Sequence, residues 1–222
     1  MPEKIPWPFT RFYDRYPNRI FAKWFRRIAV DIKNRAISGT IIDVGTGPGR
    51  LPIEIAKQVE NAKAFGIDLS EDMIKIAKRN ADREGVGDRV EFRVGSAYDT
   101  GFENNSIDLV VSTGTMHHLS QPLVAFNEMY RILKRGGAAW LFDGRKDVTR
   151  AEFKETVRSL GIEKDIPLPL QIMERIWPRI HVGYKTEVYY SGKIGQAIKA
   201  SLFEKYAITA EGAFIRIELR KS

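Results

Sequence analysis

The stretch "IIDVGTGPGR", Ile41 to Arg50, sets an apolar run ending in a carboxylate against three glycines at every second position. Such a run predicts a buried strand, and the glycines predict a tight turn into a helix from about Leu51 to Glu60. In an open α/β sheet the ligand crevice lies at strand ends of this kind. The turn therefore raises the question of which ligand needs a bare backbone there.

Two phosphate readings fail on spacing. If Gly45 and Gly47 take the first two places of the dinucleotide pattern G-x-G-x-x-G, the third falls on Arg50, whereas the next glycine is Gly49. The Gly-Lys-Ser/Thr that ends a phosphate loop is absent from the turn. Asp43, two residues ahead of the turn, would repel a pyrophosphate and attract a cationic group. Asp68 closes the next apolar run, "AKAFGIDLS", 23 residues after Gly45, where a carboxylate can accept from ribose hydroxyls. A nucleoside with a cationic extension satisfies both carboxylates, and S-adenosylmethionine is such a molecule.

The rhythm continues outward from this turn. "RVEFRVGSA", "SIDLVVSTG" and "AAWLFDG" read as further strands, and the segments between them carry helical periodicity. One helix begins at Ser70 and ends near Gly85, and another, "QPLVAFNEMYRILKRGG", stops at Gly136-Gly137. Alternation of this kind predicts a parallel sheet with helices on both faces. "EKYAITAEGAFIRIELRK" reads as a C-terminal antiparallel hairpin turning at Glu211-Gly212, which brings the sheet to seven strands. The ends depart from the rhythm. Residues 18–36 predict a helix with Ile20, Phe21, Trp24, Phe25, Ile28 and Ile32 on one face, and the proline-interrupted segment 163–190 reads as an excursion from the sheet.

Composition sets outer bounds. A chain of 222 residues with 43% hydrophobic and 29% charged residues suits one domain with a sizeable core. The absence of cysteine excludes disulfides, thiolate nucleophiles and Cys-ligated metals, and three histidines (His117, His118, His181) predict no metal site. No apolar run approaches the roughly 20 residues that span a bilayer, and "MPEKIPWPF" lacks the apolar core of a secretory signal, so the cytoplasm is the expected location. Of the net charge of +8, residues 1–36 supply six. That basic end reads either as a solvated helix face or as a surface for an anionic partner.

With these residues in view, the chain resembles the class I S-adenosylmethionine-dependent methyltransferases, in the subgroup that includes the ubiquinone and menaquinone methyltransferases. "DVGTGPG", "GIDLSEDM", "VGSA" and "SIDLVVSTGTMHHL" resemble the family's first four motifs in order. "EMYRILKRGG" resembles the helix and turn before its fifth strand. The resemblance runs from about Thr40 to Asp143 and implies a Rossmann-like fold, one methyltransferase domain over residues 1–222, and S-adenosylhomocysteine as product. It implies that Gly45, Thr46, Gly47 and Gly49 admit the methionine and ribose portions, that Asp43 orients the amino end and that Asp68 takes the ribose hydroxyls. Leu69 or Met73 would lie against adenine, Ser96 and Ala97 would border its edge, and Thr113 with Gly114 would line the floor near the sulfonium. Many relatives carry Asp where this chain has Ser96.

Plainer readings stand beside these. The glycines could serve strand–helix packing, Asp68 could cap the helix that starts near Ser70, and Met73 could be a core residue. His117 and His118, just past the fourth strand, are the candidate bases for an acceptor that must lose a proton; alternatively one of them packs the following helix. Tyr13 and Asp14 resemble a Tyr-Asp pair that lies over the cofactor in similar enzymes, so residues 1–36 are expected to form a basic aromatic lid.

The acceptor is expected to be a small apolar or aromatic molecule, because the atypical ends are rich in Trp, Phe, Ile and Leu. Segment 163–190 is expected to line its pocket. A lipid quinone is one such acceptor, with the basic N-terminal helix resting on an anionic membrane, although "GTMHHL" differs from the quinone enzymes at that point. RNA is an alternative, since aromatics alternate with Arg and Lys in residues 7–27, but "STGTM" stands where base-amine enzymes carry Asn-Pro-Pro-Tyr. A non-catalytic cofactor-binding subunit is a third reading.

Overall fold

The computed structural model describes residues 17–162 and 184–222, with side chains from residue 21 onward. Helix α1 (Pro17–Asn34) leads into β1 (Gly39–Val44), α2 (Arg50–Gln58), β2 (Ala62–Asp68), α3 (Glu71–Arg83), β3 (Val90–Val94) and β4 (Ile107–Thr113). There follow a 3-10 turn (Met116–His118), α4 (Pro122–Ile132), β5 (Leu133–Gly144) and α5 (Arg150–Leu160). Two short helices, α6 (Thr186–Tyr190) and α7 (Lys193–Ala200), precede β6 (Lys205–Glu211) and β7 (Phe214–Arg220).

The seven strands form one sheet in the order β3-β2-β1-β4-β5-β7-β6. The first five pair in parallel, while β7 runs antiparallel between β5 and β6. The expected α/β class, the mostly parallel seven-stranded sheet and the C-terminal hairpin are all present, and the hairpin turns at Gly212 with φ of +58°. Parallel strands β2 and β4 flank β1 on both sides, so its end is the place where the strand order reverses and a crevice opens.

Alternation along each strand divides the core. Ile41, Leu109, Val111, Trp140 and Phe142 face a layer of α1, α2 and α3, with Ile28, Ala29 and Ile32 of α1 all buried. Ile42, Val44, Val110, Ala139 and Leu141 face the other layer, formed with Phe126 and Met129 of α4 and Tyr189, Ile194 and Ile198. Ser70 caps α3 by accepting from the Met73 amide, and Thr149 with Glu152 closes a capping box on α5.

Two expected boundaries shift. The helix expected to run to Gly136-Gly137 ends at Ile132, and Leu133 onward is already β5. The reason is the neighbouring C-terminus, where Gly136 N donates to Lys221 O and Lys221 N to Gly137 O at 3.0 Å each. The buried Lys221 ammonium also donates to Tyr130 O and Leu133 O at 2.7 Å, holding the junction extended. Of the expected excursion 163–190, residues 163–183 lie outside the described residues, and Tyr189 within α6 is wholly buried in the second core layer.

Helix α1 docks by its apolar face. Trp24 stacks on Phe214 at 4.2 Å between centroids and meets Phe142 edge-on at 5.9 Å. Asp31 of α1 pairs with Arg216 of β7 at 2.8 Å, and Arg35 with Glu218 at 3.2 Å. Trp24→Ala removes the aromatic half of this contact and is expected to lower stability by about 2–4 kcal/mol. Urea unfolding checks it, and a change below about 0.5 kcal/mol would show that the ion pairs alone dock the helix.

Candidate functional site

The turn after β1 is built from backbone. Gly45 N and Thr46 N both donate to Ile67 O of β2 at 2.9 Å, folding the chain sharply over the neighbouring strand. Gly45, Gly47 and Gly49 have φ of +76°, +51° and +79°, the left-handed region in which a side chain is strained. A β-carbon at Gly45 would also meet Thr115 Oγ1 at 2.3 Å, and one at Gly49 would meet Phe92 at 2.6 Å. At Gly47 a β-carbon would meet nothing within 4 Å. Close packing thus fills the side-chain positions of Gly45 and Gly49, whereas Gly47 faces open space. The buried side chain of Asn80 steadies the loop by donating to Pro48 O at 2.9 Å.

The two strand-end carboxylates differ in environment. Asp68 accepts from Gly47 N at 2.9 Å and from Ser70 N at 2.8 Å, so it ties the glycine turn to the start of α3. Asp43 is 1% exposed, and its Oδ1, like the Thr46 hydroxyl, is buried without a hydrogen-bond partner. Burial, opposed by the neighbouring Thr46 hydroxyl and aided by the Asp68 charge, pushes the Asp43 carboxyl up to about 7. A cation brought to this carboxylate would relieve both the charge and the orphaned acceptor.

Around the turn, Leu69 is 39% exposed and Val94 52%, an uncovered apolar pair at the ends of β2 and β3. Met73 is only 1% exposed, so of the two residues expected against adenine only Leu69 offers a face. Ser96 Oγ accepts from Tyr98 N at 3.1 Å, and Ala97 packs on the second core layer. Thr113 ends β4 beside Phe142, and Gly114 follows with φ of +65° and open space where a side chain would stand. Apart from Met73 on α3, these residues lie at or just beyond the C-terminal ends of β1 to β4. Tyr13 and the rest of residues 1–16 lie outside the described residues.

His117 and His118 sit in the 3-10 turn with ring centroids 4.0 Å apart. His117 is buried, and its Nδ1 lies 2.8 Å from Asp143 Oδ1 at the end of β5. Asp143, itself 1% exposed, was not singled out from sequence, nor were Val94, Asn80 and Thr115. For Asp143 the signal was present, since "AAWLFDG" is a third apolar run closed by Asp, as at Asp43 and Asp68. Among the described residues no cluster of three His, Asp or Glu could hold a metal ion.

Residues 41–137 match the model of a methyltransferase domain. The ubiquinone/menaquinone biosynthesis C-methyltransferase UbiE of Geotalea daltonii is 30% identical over 142 residues, which are 61% of this chain and 60% of that one. The demethylmenaquinone methyltransferase of Porphyromonas gingivalis is 28% identical, with 62% and 58% covered. The chain thus spans about three fifths of the length of these curated relatives. A crystal structure from Methanococcus maripaludis, described as an S-adenosyl-L-methionine-dependent methyltransferase, superimposes with a TM-score of 0.73 at 25% identity. It covers 100% of this chain and 94% of its own.

Asp43 sets a pH dependence. Its folded-state value is raised from 3.8 to about 7, so its contribution to stability is full below 3.8 and is lost as pH rises through about 7. Relative to Asp43→Asn, the ligand-free protein is expected to lose stability steadily between those limits. Urea unfolding at a series of pH values measures the difference. A flat difference would mean that Asp43 stays ionised in the fold.

Proposed function

We propose that this chain is an S-adenosylmethionine-dependent methyltransferase that transfers a methyl group to a small-molecule acceptor. The observation that carries the reading is the pair of strand-end carboxylates about the glycine turn, one of them buried with an unpartnered oxygen. Bound S-adenosylmethionine supplies an activated methyl on a sulfonium centre, which needs alignment and a dry site more than it needs protein chemistry.

The residues suit that cofactor. In this reading Asp43 and the Thr46 hydroxyl attract the ammonium end, while Gly45, Gly47 and Gly49 let the backbone approach. Asp68 exchanges its loop amides for the ribose hydroxyls. Leu69, with Val94 opposite, covers adenine, whose edge meets Ser96 and Ala97. Met73, buried on α3, is a core residue at the edge of the site, and Thr113 with Gly114 leaves room beside the methyl.

The small-molecule reading is supported by relatives whose names specify quinones. A quinone acceptor would reach the protein from a membrane. Contact with an anionic surface through α1 would then rest on the exposed Arg26, Arg27 and Lys33, because the helix's apolar face is buried against the core. No described helix is long and apolar enough to cross a membrane.

Two measurements test this. Asp68→Ala is expected to weaken S-adenosylmethionine binding by roughly 1–3 kcal/mol in calorimetry, and unchanged affinity would remove Asp68 from the site. Methyl-labelled cofactor, incubated with the protein and cell extract, is expected to label solvent-extractable small molecules. Label in RNase-sensitive material would overturn the small-molecule acceptor and favour RNA instead.

A further inference from the structure

His117 carries four polar groups, and three of them are committed within the protein. Its backbone N donates to Asp143 Oδ2 at 2.9 Å, its O accepts from the Tyr184 hydroxyl at 3.0 Å, and Nδ1 lies 2.8 Å from Asp143 Oδ1. The fourth, Nε2, is buried with no hydrogen-bond partner. The surroundings fix the tautomer. Asp143 already accepts from two groups that can only donate, His117 N on Oδ2 and Gly144 N on Oδ1 at 2.8 Å. Both oxygens act as acceptors, so the third contact also calls for a donor, and the ring proton sits on Nδ1. In the neutral ring Nε2 then carries the lone pair, oriented by the carboxylate behind the ring.

The ring is held from both sides of the crevice. Tyr189 donates to Gly144 O at 2.9 Å and accepts from Tyr184 N at 3.0 Å, which sets Tyr184 against the His117 carbonyl. Burial raises the Tyr189 phenol, so it keeps its proton and its donor role. Thr115, two residues before His117, fills the space beside Gly45, and its hydroxyl lies 3.4 Å from Val44 O. The histidine turn is therefore packed directly on the glycine turn. The His118 ring is tilted 44° to that of His117, with the two centroids 4.0 Å apart.

We propose that His117 Nε2 is the general base of the transfer and that Asp143 is its positioning residue. The acceptor is then a molecule whose attacking atom carries a removable proton, a hydroxyl of the phenol or enol kind. The proposal rests on the methyltransferase reading above and narrows its substrate class. The acceptor atom (the oxygen, or the carbon of an enol) bonds to the methyl carbon, while the methyl–sulfur bond breaks and leaves its electron pair on sulfur. The hydroxyl proton passes to Nε2, and the resulting imidazolium donates from Nδ1 to the Asp143 carboxylate.

The test compares the full-length protein with His117→Gln and Asp143→Asn. Calorimetry with S-adenosylmethionine is expected to give affinities within about twofold of wild type for both variants. Transfer of labelled methyl to cell extract, at saturating cofactor, is expected to fall about 100-fold or more in each. The nitrogen-15 imidazole spectrum of the wild type is expected to report a protonated Nδ1 and a bare Nε2. Wild-type rates within about threefold in His117→Gln, or a protonated Nε2 in the wild type, would overturn the base. A wild type that binds no cofactor, or that labels no fraction, would overturn the methyltransferase reading as well, so the two failures are told apart.

Discussion

Everything at the C-terminal edge of the sheet depends on how closely the turn after β1 approaches its neighbours. Thr115 stands where a side chain on Gly45 would be, and Phe92 stands where one on Gly49 or Gly66 would be. These side chains come from the turns and strands of β3 and β4, so the loop is clamped by the strands on either side of the crevice. With the backbone locked in a left-handed path, Asp43 is carried into a dry position that its charge alone would never favour. The fold holds the carboxylate there because β1 lies between β2 and β4, with Asp43 opposite Gly66 and Val111.

Much of this was legible in the sequence because two different periods alternate cleanly. Runs such as Ile41–Ile42 and Leu109–Val111 are apolar throughout, as buried parallel strands require, and the helices between them have one apolar stripe each. Asp43, Asp68 and the glycines could be found because they interrupt that regularity. Three features were harder to see. The end of α4 could not be placed, because the Gly136-Gly137 stop is overruled by backbone pairing with Lys221, more than 80 residues away in sequence. Met73 and Leu69 look interchangeable in the chain, yet Met73, on α3, is buried and Leu69 is open. Asp143 carries the same strand-ending mark as Asp43, but its bond to His117 joins residues 26 apart and depends on the crossover through α4.

The division of labour between the parts follows from their packing. Helix α1, basic on one side and aromatic on the other, looks in sequence like a mobile cover, but from Phe21 onward its aromatic side is engaged with β5 and β7. Its outward cations remain available to solvent or to an anionic surface, while its stem belongs to the core. At the other end of the crevice, Tyr184 joins the residues after 183 to the histidine turn and to Lys146, whose amide donates to Tyr184 O at 3.0 Å. A segment anchored in this way is coupled to the ends of β4 and β5.

The position of β7 between β5 and β6, with Asp31 of α1 reaching across to Arg216, also bears on how the protein is made. The first described helix finds its electrostatic partner only when a strand some 185 residues later has emerged from the ribosome. Until then Trp24, Phe25 and Ile28 have no complete surface to cover, and the sheet ends at β5 with an open edge. Such long sequence separations slow the final closure and lengthen the time for which apolar surface is exposed. The nascent chain is therefore most open to aggregation, and most in need of a chaperone, in the interval before its last hairpin pairs.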